Sequence, residues 1–371
     1  MKVLLVHDWL TGMRGGEKCL EIFAELFPDA SLYTLIHDPG SVSEIIENRE
    51  IKTSYLQKIP GIKRYYRHFL PFLPTVMGNF DTSSFDLIIS SSHCVAKMIK
   101  KNDATKHWCY IFTPMRYVWE LFDDYFGKDC SFPVRTGAKM VAPYLRKKDV
   151  ASSSGVNQFV AISDFIAGRV KKNYGRNAEV IYPPVSLERF TPVAADKVED
   201  WDLVVSAFAP YKRIDLAIQA SNKLNRPLKI IGSGQKETYL KSIAGPQVEF
   251  LGWISNEEIA DHMARCRSFV FPGLEDFGIT PVEAQASGRP VVAYGEGGAL
   301  ETVRGLECET PSGIFFKEQT VDSLCEALQK VDEVEWDSQK MAEDVKRFSR
   351  QRFIAEVKQS LNAFTEGKLF S

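Results

Sequence analysis

Hydrophobic and polar positions along this chain fall into blocks. Short apolar runs, each followed by a Gly, Ser or Pro break, precede stretches with apolar residues at helical spacing. Such runs indicate strands buried on both faces, and the stretches between them indicate the helices of parallel βα units. The pattern predicts strands at residues 3–6, 87–89, 159–162, 180–182, 203–208, 228–231, 269–271 and 290–293.

The blocks form two groups, separated by a segment that fits neither periodicity. Residues 182–184 and 191–196 hold paired prolines and small residues, which interrupt strands and helices alike. A chain of 371 residues also exceeds the size at which a single core stops growing. We therefore predict two α/β domains over residues 1–195 and 196–347, with a kinked or paired terminal helix over residues 341–364.

Composition restricts the kinds of partner that we expect for this protein and the compartment in which we expect it. A net charge of −2 gives no broad cationic field, so nucleic acid is not expected as a partner. The seven cysteines are scattered without a Cys-x-x-Cys pair and are expected to be reduced packing residues. The first apolar run is too short for a signal sequence, and no run approaches the ~20 residues that span a bilayer. These features predict a cytoplasmic protein whose membrane contact, if any, is peripheral.

The segment of residues 271–284 carries the most chemistry. A strand ends there, a loop presents Glu275, and a helix begins in which Thr280, Pro281 and Glu283 match the N-cap, N1 and N3 positions of a capping box. Glu275 either accepts hydrogen bonds from sugar hydroxyls or is a solvated loop acid. Glu283 either binds a ligand or only caps the helix.

Cations follow the predicted strand 203–208. Ligands of parallel sheets bind beyond the carboxyl ends of the strands, which is where Lys212 and Arg213 are expected. Fixed cations there would stabilise a departing diphosphate. The alternative is a solvated Lys-Arg pair at the surface.

Two glycine turns also follow predicted strands. Gly15 and Gly16 open a helix after the first strand, and Gly232 and Gly234 follow the strand at residues 228–231. Glycine turns of this kind bring backbone N–H groups close to a phosphate or sugar.

An apparent metal motif is rejected. Asp200 and Asp202 match the Asp-x-Asp signature, but they precede a strand and therefore lie at the end opposite the ligands. Because no other cluster has ligand spacing, we expect neither a metal nor a cofactor.

Two glutamates separated by seven residues lie in Glu-Asp-Phe-Gly-Ile-Thr-Pro-Val-Glu-Ala. This motif, together with residues 113–117, 160–163, 182–185, 188–190, 210–215, 288–293 and 297–301, resembles family 4 of the retaining glycosyltransferases. The likeness is to its bacterial branch of O-antigen and exopolysaccharide mannosyltransferases.

This resemblance implies a glycosyltransferase-B fold, with two Rossmann-like domains facing a cleft. Residues 1–195 would be the acceptor side and 196–347 the donor side, with a helix over about residues 348–371 crossing back to the first domain. It implies a retaining transfer of a hexose, mannose from GDP-mannose or glucose from a UDP-sugar. The acceptor would be a saccharide or a lipid-linked acceptor in cell-surface polysaccharide synthesis.

The resemblance also assigns roles. Glu275, Lys212 and Arg213 would be catalytic, with Glu275 holding the donor sugar's hydroxyls. Glu283 would bind the ribose, and the remaining donor contacts would come from Phe277, Gly278, Ile279, Thr280, Gly232, Gly234, Gly15 and Gly16.

Two positions depart from the family pattern. Phe112 stands where members usually carry a histidine, and Ala207 stands where they commonly carry an arginine. His93 and Arg116 are candidates for contacts to the acceptor or another ligand. The departures keep open a catalytically silent sugar-nucleotide binder, and an epimerase of the same fold is a further alternative.

Residues 58–73 interleave cations with aromatic and apolar groups. Such a surface suits an anionic membrane interface that supplies a lipid-linked acceptor. An amphipathic segment packed on its own domain explains the pattern equally well.

Overall fold

The computed structural model describes residues 1–120, 122, 126 and 131–370. Within them the chain divides into a first unit, Met1–Pro184 with Phe353–Ser371, and a second unit, Val185–Arg352. The predicted boundary near residue 195 falls inside the second unit. The return of the chain to the first unit starts at Phe353, a few residues after the predicted position 348.

A seven-stranded sheet forms the centre of the first unit in the described part of the chain. Its order is β3-β2-β1-β4-β5-β6-β7, and all pairings are parallel. Every residue of β1 and β4 is buried, which explains why both contain continuous apolar runs. The strands are β1 Val3–His7, β2 Ser31–Thr34, β3 Ile51–Thr53, β4 Leu87–Ser92, β5 Lys106–Ile111, β6 Gln158–Ala161 and β7 Ala178–Val180.

A parallel sheet with the described order β10-β9-β8-β11-β12-β13 forms the centre of the second unit. Its core contains Val204, Ile230, Val270 and Val292, which come from the four central strands. The strands are β8 Asp202–Val205, β9 Leu228–Ile231, β10 Val248–Gly252, β11 Ser268–Phe271, β12 Val291–Tyr294 and β13 Gly313–Phe316.

Both sheets reverse their strand order at one place. The first sheet grows from β1 through β2 to β3 and then resumes with β4 on the other side of β1; β8 and β11 have the same relation in the second sheet. Ligands of open parallel sheets bind at such reversals, beyond the carboxyl ends of the strands. We call the carboxyl ends of β1 and β4 the N-terminal switch point, and those of β8 and β11 the C-terminal switch point.

Helices connect most successive strands. Those of the first unit are α1 Gly15–Leu26, α2 Glu44–Glu47, α3 Ile62–Tyr65, α4 Leu73–Met77, α5 Phe132–Ser152 and α6 Asp164–Tyr174. The second unit contains α7 Ile214–Leu224, α8 Glu237–Ile243, α9 Asn256–Arg265, α10 Ile279–Ala286, α11 Ala299–Thr302, α12 Val321–Val331 and α13 Ser338–Asp344. The last helix, α14 Arg350–Phe364, begins at the unit boundary.

The terminal segment confirms the prediction of an interrupted helix. A 3-10 turn, Val345–Phe348, separates α13 from α14. Phe353, Val357 and Leu361 on α14 are buried, and Trp108 on β5 donates a hydrogen bond to Ser360 at 3.1 Å. The helix therefore packs on the first unit as a structural element of that unit.

The eight predicted strands all exist, although several of their ends differ from the predicted positions. The strand predicted at residues 180–182 ends at Val180, before Pro183 and Pro184, and the strand predicted from Pro290 begins at Val291. Proline has no N–H to contribute to a ladder, which explains the later start at Val291. The strand predicted at residues 203–208 is also shorter, because the chain leaves the sheet after Val205.

None of the described helices is long and apolar enough to cross a membrane. Cys19, Cys94, Cys109, Cys266 and Cys325 are buried free thiols, Cys308 is half-buried, and Cys130 lies outside the described residues.

Candidate functional site

The C-terminal switch point brings two predicted residues into contact. Lys212 lies in the turn after β8 and Glu275 in the loop after β11, and Lys212 Nζ forms an ion pair with Glu275 Oε1. Their side chains are 21% and 13% exposed, so the pair is largely withdrawn from water but still open to a ligand. The two strands are neighbours in the sheet, which is why residues 63 positions apart in the sequence meet here.

Arg213 has a different environment. Its guanidinium binds Asp215 through Nε and Nη2, both at 3.2 Å, at the start of α7. Nη1 lies 3.5 Å from Gln319 Oε1, and Gln319 in turn donates to the carbonyl of Pro272 after β11. The structure therefore places Arg213 in a local network that fixes the two loops, and leaves Lys212 as the cation that faces Glu275.

The loop that follows Glu275 is held by a close approach of two backbones. Gly298 donates its N–H to the carbonyl of Glu275 at 2.8 Å. A Cβ on Gly298 would lie 2.3 Å from Phe277 Cα, so only glycine fits there. The Phe277 ring is buried and lies edge-on to Phe348 at 5.4 Å. The contacts with Gly298 and Phe348 thus hold the segment from Glu275 to Gly278 in place.

The helix after this loop begins earlier than the predicted capping box indicates. The N-cap is Gly278, with φ of 103°, and α10 already begins at Ile279. Thr280 and Pro281 therefore lie within the first turn, where N–H groups have no intrahelical partner and proline is tolerated. Glu283 lies too far along α10 to cap its start, which removes the purely structural role that the pattern assigned to it.

The second glycine turn is packed against the loop after β8. A Cβ on Gly232, whose φ is 134°, would lie 1.9 Å from the carbonyl oxygen of Ser206. Phe208 donates its N–H to the carbonyl of Ser233 at 2.9 Å, which ties the two loops together. Gly232 and Gly234 follow β9 and thus lie beside the loop after β8. Ala207, at one departure from the family pattern, is exposed in the same loop.

The Asp-x-Asp pair has structural partners. Asp202 is buried at the amino end of β8, pairs with Arg226 and accepts a hydrogen bond from Ser268 at 2.7 Å. Asp200 is exposed and pairs with Arg267. Within the described residues, no group of three His, Cys, Asp or Glu side chains could hold a metal ion.

The N-terminal switch point contains a residue that the sequence did not single out. Asp8 follows β1 directly and is fully buried. Its Oδ2 accepts hydrogen bonds from the N–H groups of His93 at 2.7 Å and Cys94 at 3.1 Å. Its Oδ1 accepts from Val95 at 2.5 Å and Ala96 at 2.7 Å. One carboxylate thus organises the loop after β4; its only sequence signal is a position immediately after a buried strand.

His93 lies on that loop, and its side chain is 26% exposed. Its Nδ1 is 3.1 Å from Asp8 Oδ2. Burial would by itself raise the pKa of Asp8, but His93, His7 and the backbone N–H groups lower it below its ordinary value. Burial lowers the pKa of His93, an effect that Asp8 opposes and the charge of Arg116 reinforces. Asp8 is therefore ionised at neutral pH and His93 is neutral.

A second imidazole lies deeper. His7 at the end of β1 is fully buried, with Nδ1 2.7 Å from Ser91 Oγ and Nε2 3.6 Å from Glu17 Oε1. Burial tends to raise the pKa of Glu17, but the hydrogen bond and charge of His7 outweigh it and lower the pKa. Glu17 also accepts a hydrogen bond from the N–H of Arg14 at 3.0 Å, so the start of α1 already carries a carboxylate.

Phe112 and the first glycine turn adjoin these residues. A Cβ on Gly16 would lie 3.4 Å from the Phe112 ring and 3.6 Å from the His7 ring. The Phe112 ring is 6.4 Å from that of His93. α1 begins at Gly15, as predicted. Arg116, which follows β5, is half-buried and near enough to influence His93 electrostatically.

A fully buried ion pair includes Lys97, which follows β4 in the chain. Lys97 Nζ lies 2.6 Å from Asp149 Oδ1, and neither side chain is exposed. Asp149 also accepts hydrogen bonds from Trp119 at 2.8 Å and Tyr174 at 2.7 Å. Burial by itself lowers the pKa of Lys97, but Asp149 outweighs that effect and raises it, so the lysine stays charged.

Residues 58–73 form short helical turns that pack their apolar side chains inward. Ile62, Tyr66 and Leu73 belong to the core of the first unit, whereas Tyr65 and Phe72 are 45% and 63% exposed. Much of the pattern therefore reflects packing on this unit, and the exposed side chains are the part that a membrane could contact.

The second unit resembles a known protein family in its sequence. Residues 193–352, all within that unit, match the family Glycosyl transferases group 1. A GDP-mannose-dependent monoacylated alpha-(1-6)-phosphatidylinositol monomannoside mannosyltransferase from Corynebacterium glutamicum is 30% identical over 204 residues, covering 47% of this chain and 52% of that protein. The chain spans about half the length of the first curated relatives it matches.

Solved structures match almost the whole chain. Sucrose-phosphate synthase from Thermosynechococcus elongatus superposes with a TM-score of 0.70 at 16% identity, over 99% of this chain and 100% of that one. Anabaena HepE, solved in complex with UDP and glucose, gives 0.67 at 17% identity, over 98% and 99%. The chain has the glycosyltransferase-B fold. The predicted fold class is confirmed, and both switch points are those of a glycosyltransferase-B protein.

Proposed function

We propose that this protein is a retaining, metal-independent glycosyltransferase that moves a hexose from a nucleoside-diphosphate sugar onto a saccharide or lipid-linked acceptor. In this proposal the second unit binds the donor and the first unit binds the acceptor. The reaction would belong to cell-surface polysaccharide synthesis.

The observation that carries the proposal is the ion pair between Lys212 and Glu275 at the C-terminal switch point. An acid can accept hydrogen bonds from sugar hydroxyls, and a cation beside it can stabilise the charge of a departing diphosphate. The glycine turn at residues 232–234 and the backbone from Phe277 to Thr280 provide surroundings that a nucleotide could approach. Glu283 remains our candidate for the ribose, and Arg213 acts by holding the loops.

In the proposed step the bond between the anomeric carbon and the diphosphate oxygen breaks, and the acceptor oxygen bonds to that carbon on the same face. The acceptor's proton passes to the departing phosphate oxygen. Lys212 offsets the charge that develops on the diphosphate, so an acidic cluster holding a metal is not required for this task. Positioning of the two substrates supplies the rest of the acceleration.

Our first donor hypothesis is GDP-mannose, which the Corynebacterium relative is named for using. A UDP-hexose is the alternative, since HepE binds UDP and glucose. A thermal-shift screen of GDP, UDP and ADP tests this directly. We expect GDP or UDP to raise the melting temperature of wild-type protein and Lys212→Ala to remove most of that increase. No stabilisation by any nucleoside diphosphate would contradict the proposal.

Phe112 and Ala207 favour a second candidate, a sugar-nucleotide binder without catalytic activity, because both lack the polar groups usual at these positions. Calorimetric donor binding without transfer or donor hydrolysis across an acceptor panel would support it. An epimerase of the same fold would instead convert the donor in the absence of any acceptor.

We further propose peripheral contact with the cytoplasmic face of a membrane through residues 58–73. The exposed Tyr65 and Phe72 and the cations Lys63, Arg64 and Arg67 are its basis. Replacing the three cations with glutamine should reduce flotation with anionic phosphatidylglycerol vesicles, whereas replacing Lys223, Lys241 and Lys340 should not. Equal flotation of both variants would remove this hypothesis.

A further inference from the structure

The N-terminal switch point contains chemistry that the proposed reaction leaves unused. Asp8 is fully buried and His93 is partly exposed beside it, at the carboxyl ends of β1 and β4. Since strand order reverses between these two strands, their carboxyl ends are where a ligand of the first unit is expected.

The contacts of Asp8 determine the orientation of the His93 ring. Oδ2 of Asp8 lies 3.1 Å from Nδ1 and is itself held by the backbone N–H groups of His93 and Cys94. A carboxylate accepts a hydrogen bond and has none to donate, so it selects the tautomer that carries its proton on Nδ1. Nε2 then has a lone pair, and it has no hydrogen-bond partner among the residues that the structure describes.

The surrounding charges indicate a neutral ligand. The carboxylates of Asp8 and Glu17 are near enough to influence His93 electrostatically, and Glu17 accepts the N–H of Arg14 just before α1. Arg116 adds one positive charge nearby, and the rings of Trp9 and Phe112 lie next to His93 at 4.5 and 6.4 Å. The setting of His93 suits a hydroxyl group on an uncharged, partly apolar molecule, such as a sugar.

We infer that Nε2 of His93 accepts a hydrogen bond from a hydroxyl of the saccharide acceptor, and that Asp8 is the positioning residue that holds the imidazole in the required tautomer. The inference rests on the proposed function and assigns the acceptor contact to the first unit. His93 is next to Phe112, so this chain retains an imidazole close to the position where the family's histidine is replaced.

The tautomer is measured first, on full-length protein labelled with 15N-histidine at pH 7.5. The chain has six histidines, and His93→Phe identifies the resonance. We expect wild-type His93 to be neutral with its proton on Nδ1, and Asp8→Asn to shift the population toward the Nε2 tautomer. His107, whose Nε2 is 2.7 Å from Ser90 Oγ in the same sheet, should not change. A wild-type imidazolium or Nε2–H form overturns the inference.

Kinetics then separate acceptor binding from the rest of the reaction. The donors are GDP-mannose and UDP-glucose, and the acceptors are octyl α-mannoside and octyl β-glucoside. His93→Phe should raise the acceptor KM about 3- to 10-fold, because one neutral hydrogen bond to the acceptor is lost. His93→Gln, which keeps an acceptor oxygen, should recover part of this loss. Donor hydrolysis without acceptor should stay within about twofold of wild type, as should all parameters of His262→Asn on α9.

The pH profile provides the readout for Asp8. Protonation removes the lone pair on Nε2, so the acceptor KM should rise as pH falls through a His93 pKa that lies below 6.5. The groups facing this imidazole are Asp8, His7, Glu17 and Arg116. Removing the anion with Asp8→Asn should move the rise in KM to still lower pH.

The outcomes distinguish the two proposals. If wild type transfers sugar but His93→Phe has an unchanged acceptor KM, or loses donor hydrolysis in parallel, only the inference about His93 is overturned. If wild type turns over neither donor and binds no nucleoside diphosphate, the proposed function fails and the inference fails with it.

Discussion

The two switch points have the same topology but different chemistry. At the C-terminal one, a lysine and a glutamate form a pair that is partly exposed, surrounded by glycine-rich backbone. At the N-terminal one, the fully buried Asp8 accepts hydrogen bonds from four backbone N–H groups. It also contacts the neutral imidazole of His93, which is partly exposed. The first arrangement offers charge to a ligand, whereas the second offers a hydrogen-bond acceptor of fixed orientation.

This difference shows how one fold repeated in a chain can serve two kinds of ligand. Strand order determines where the loops meet, and the residues on those loops determine what can bind. A pair such as Lys212 and Glu275 can exchange its partner for a charged ligand. Lys97 and Asp149 cannot, because both are fully buried behind the N-terminal switch point. We therefore expect charge removal to affect stability in one unit and activity in the other.

The largest expected effect comes from Lys97→Met, which leaves Asp149 buried without its cation. Removing one partner of a buried pair costs about 3–5 kcal/mol of unfolding free energy. Urea unfolding followed by tryptophan fluorescence measures this loss. Lys223→Met is the matched control, because Lys223 pairs with Asp322 at the exposed surface and should unfold like wild type. Wild-type stability of Lys97→Met would contradict the structural role of the pair.

The same replacement at the other switch point, Lys212→Met, should act on catalysis. We expect kcat for sugar transfer to fall about 10²- to 10³-fold, the usual effect of removing one group that stabilises developing negative charge. The urea midpoint should fall by less than in Lys97→Met, because both partners of this pair are partly exposed and those of Lys97 and Asp149 are not. A variant with normal kcat, or one that loses activity only by unfolding, would remove the contrast between the two lysines.

Asp8→Asn should destabilise the first unit by about 1.5–3 kcal/mol at pH 7, because hydrogen bonds to a charged acceptor are lost. The pKa of Asp8 in the folded protein is below its ordinary value of 3.8. The stabilisation that ionised Asp8 provides is therefore complete above its ordinary pKa of 3.8. It is lost as the pH falls through the lower pKa of the folded state. Stability curves of wild type and variant should converge at acidic pH. Asp103→Asn, at an exposed turn, is the control, and parallel curves for Asp8→Asn would contradict the assignment.

The smallest effect is expected from Gly298→Ala, which places a Cβ 2.3 Å from Phe277 Cα. Overpacking of this kind costs about 1–3 kcal/mol and should displace the loop of Glu275, raising the donor KM. Gly137→Ala on α5 meets nothing within 4 Å and should be neutral or slightly stabilising. Donor kinetics and thermal unfolding of both variants test this, and equal behaviour would show that the close approach does not fix the loop.

The sequence predicted the fold class and much of the C-terminal site because both depend on local pattern. Apolar runs predicted the eight strands, and position after a strand predicted where Lys212, Glu275 and the glycine turns would lie. The capping box was wrong, because a left-handed Gly278 starts the helix earlier than the Thr-Pro-x-Glu pattern indicates. Strands β2, β3, β5, β10 and β13 were not predicted. β3 and β10 are at most half-buried, so their apolar signal is weak.

By itself, then, the sequence determined the alternation of strands and helices and the identity of the groups that follow each strand. Only the tertiary structure decided which of those groups meet. Asp8 and His93 are far apart in sequence, as are Lys97 and Asp149, and each pair is joined by contacts between separate elements. Local periodicity carries no information about such contacts, because they depend on strand order and on the burial that removes competing water.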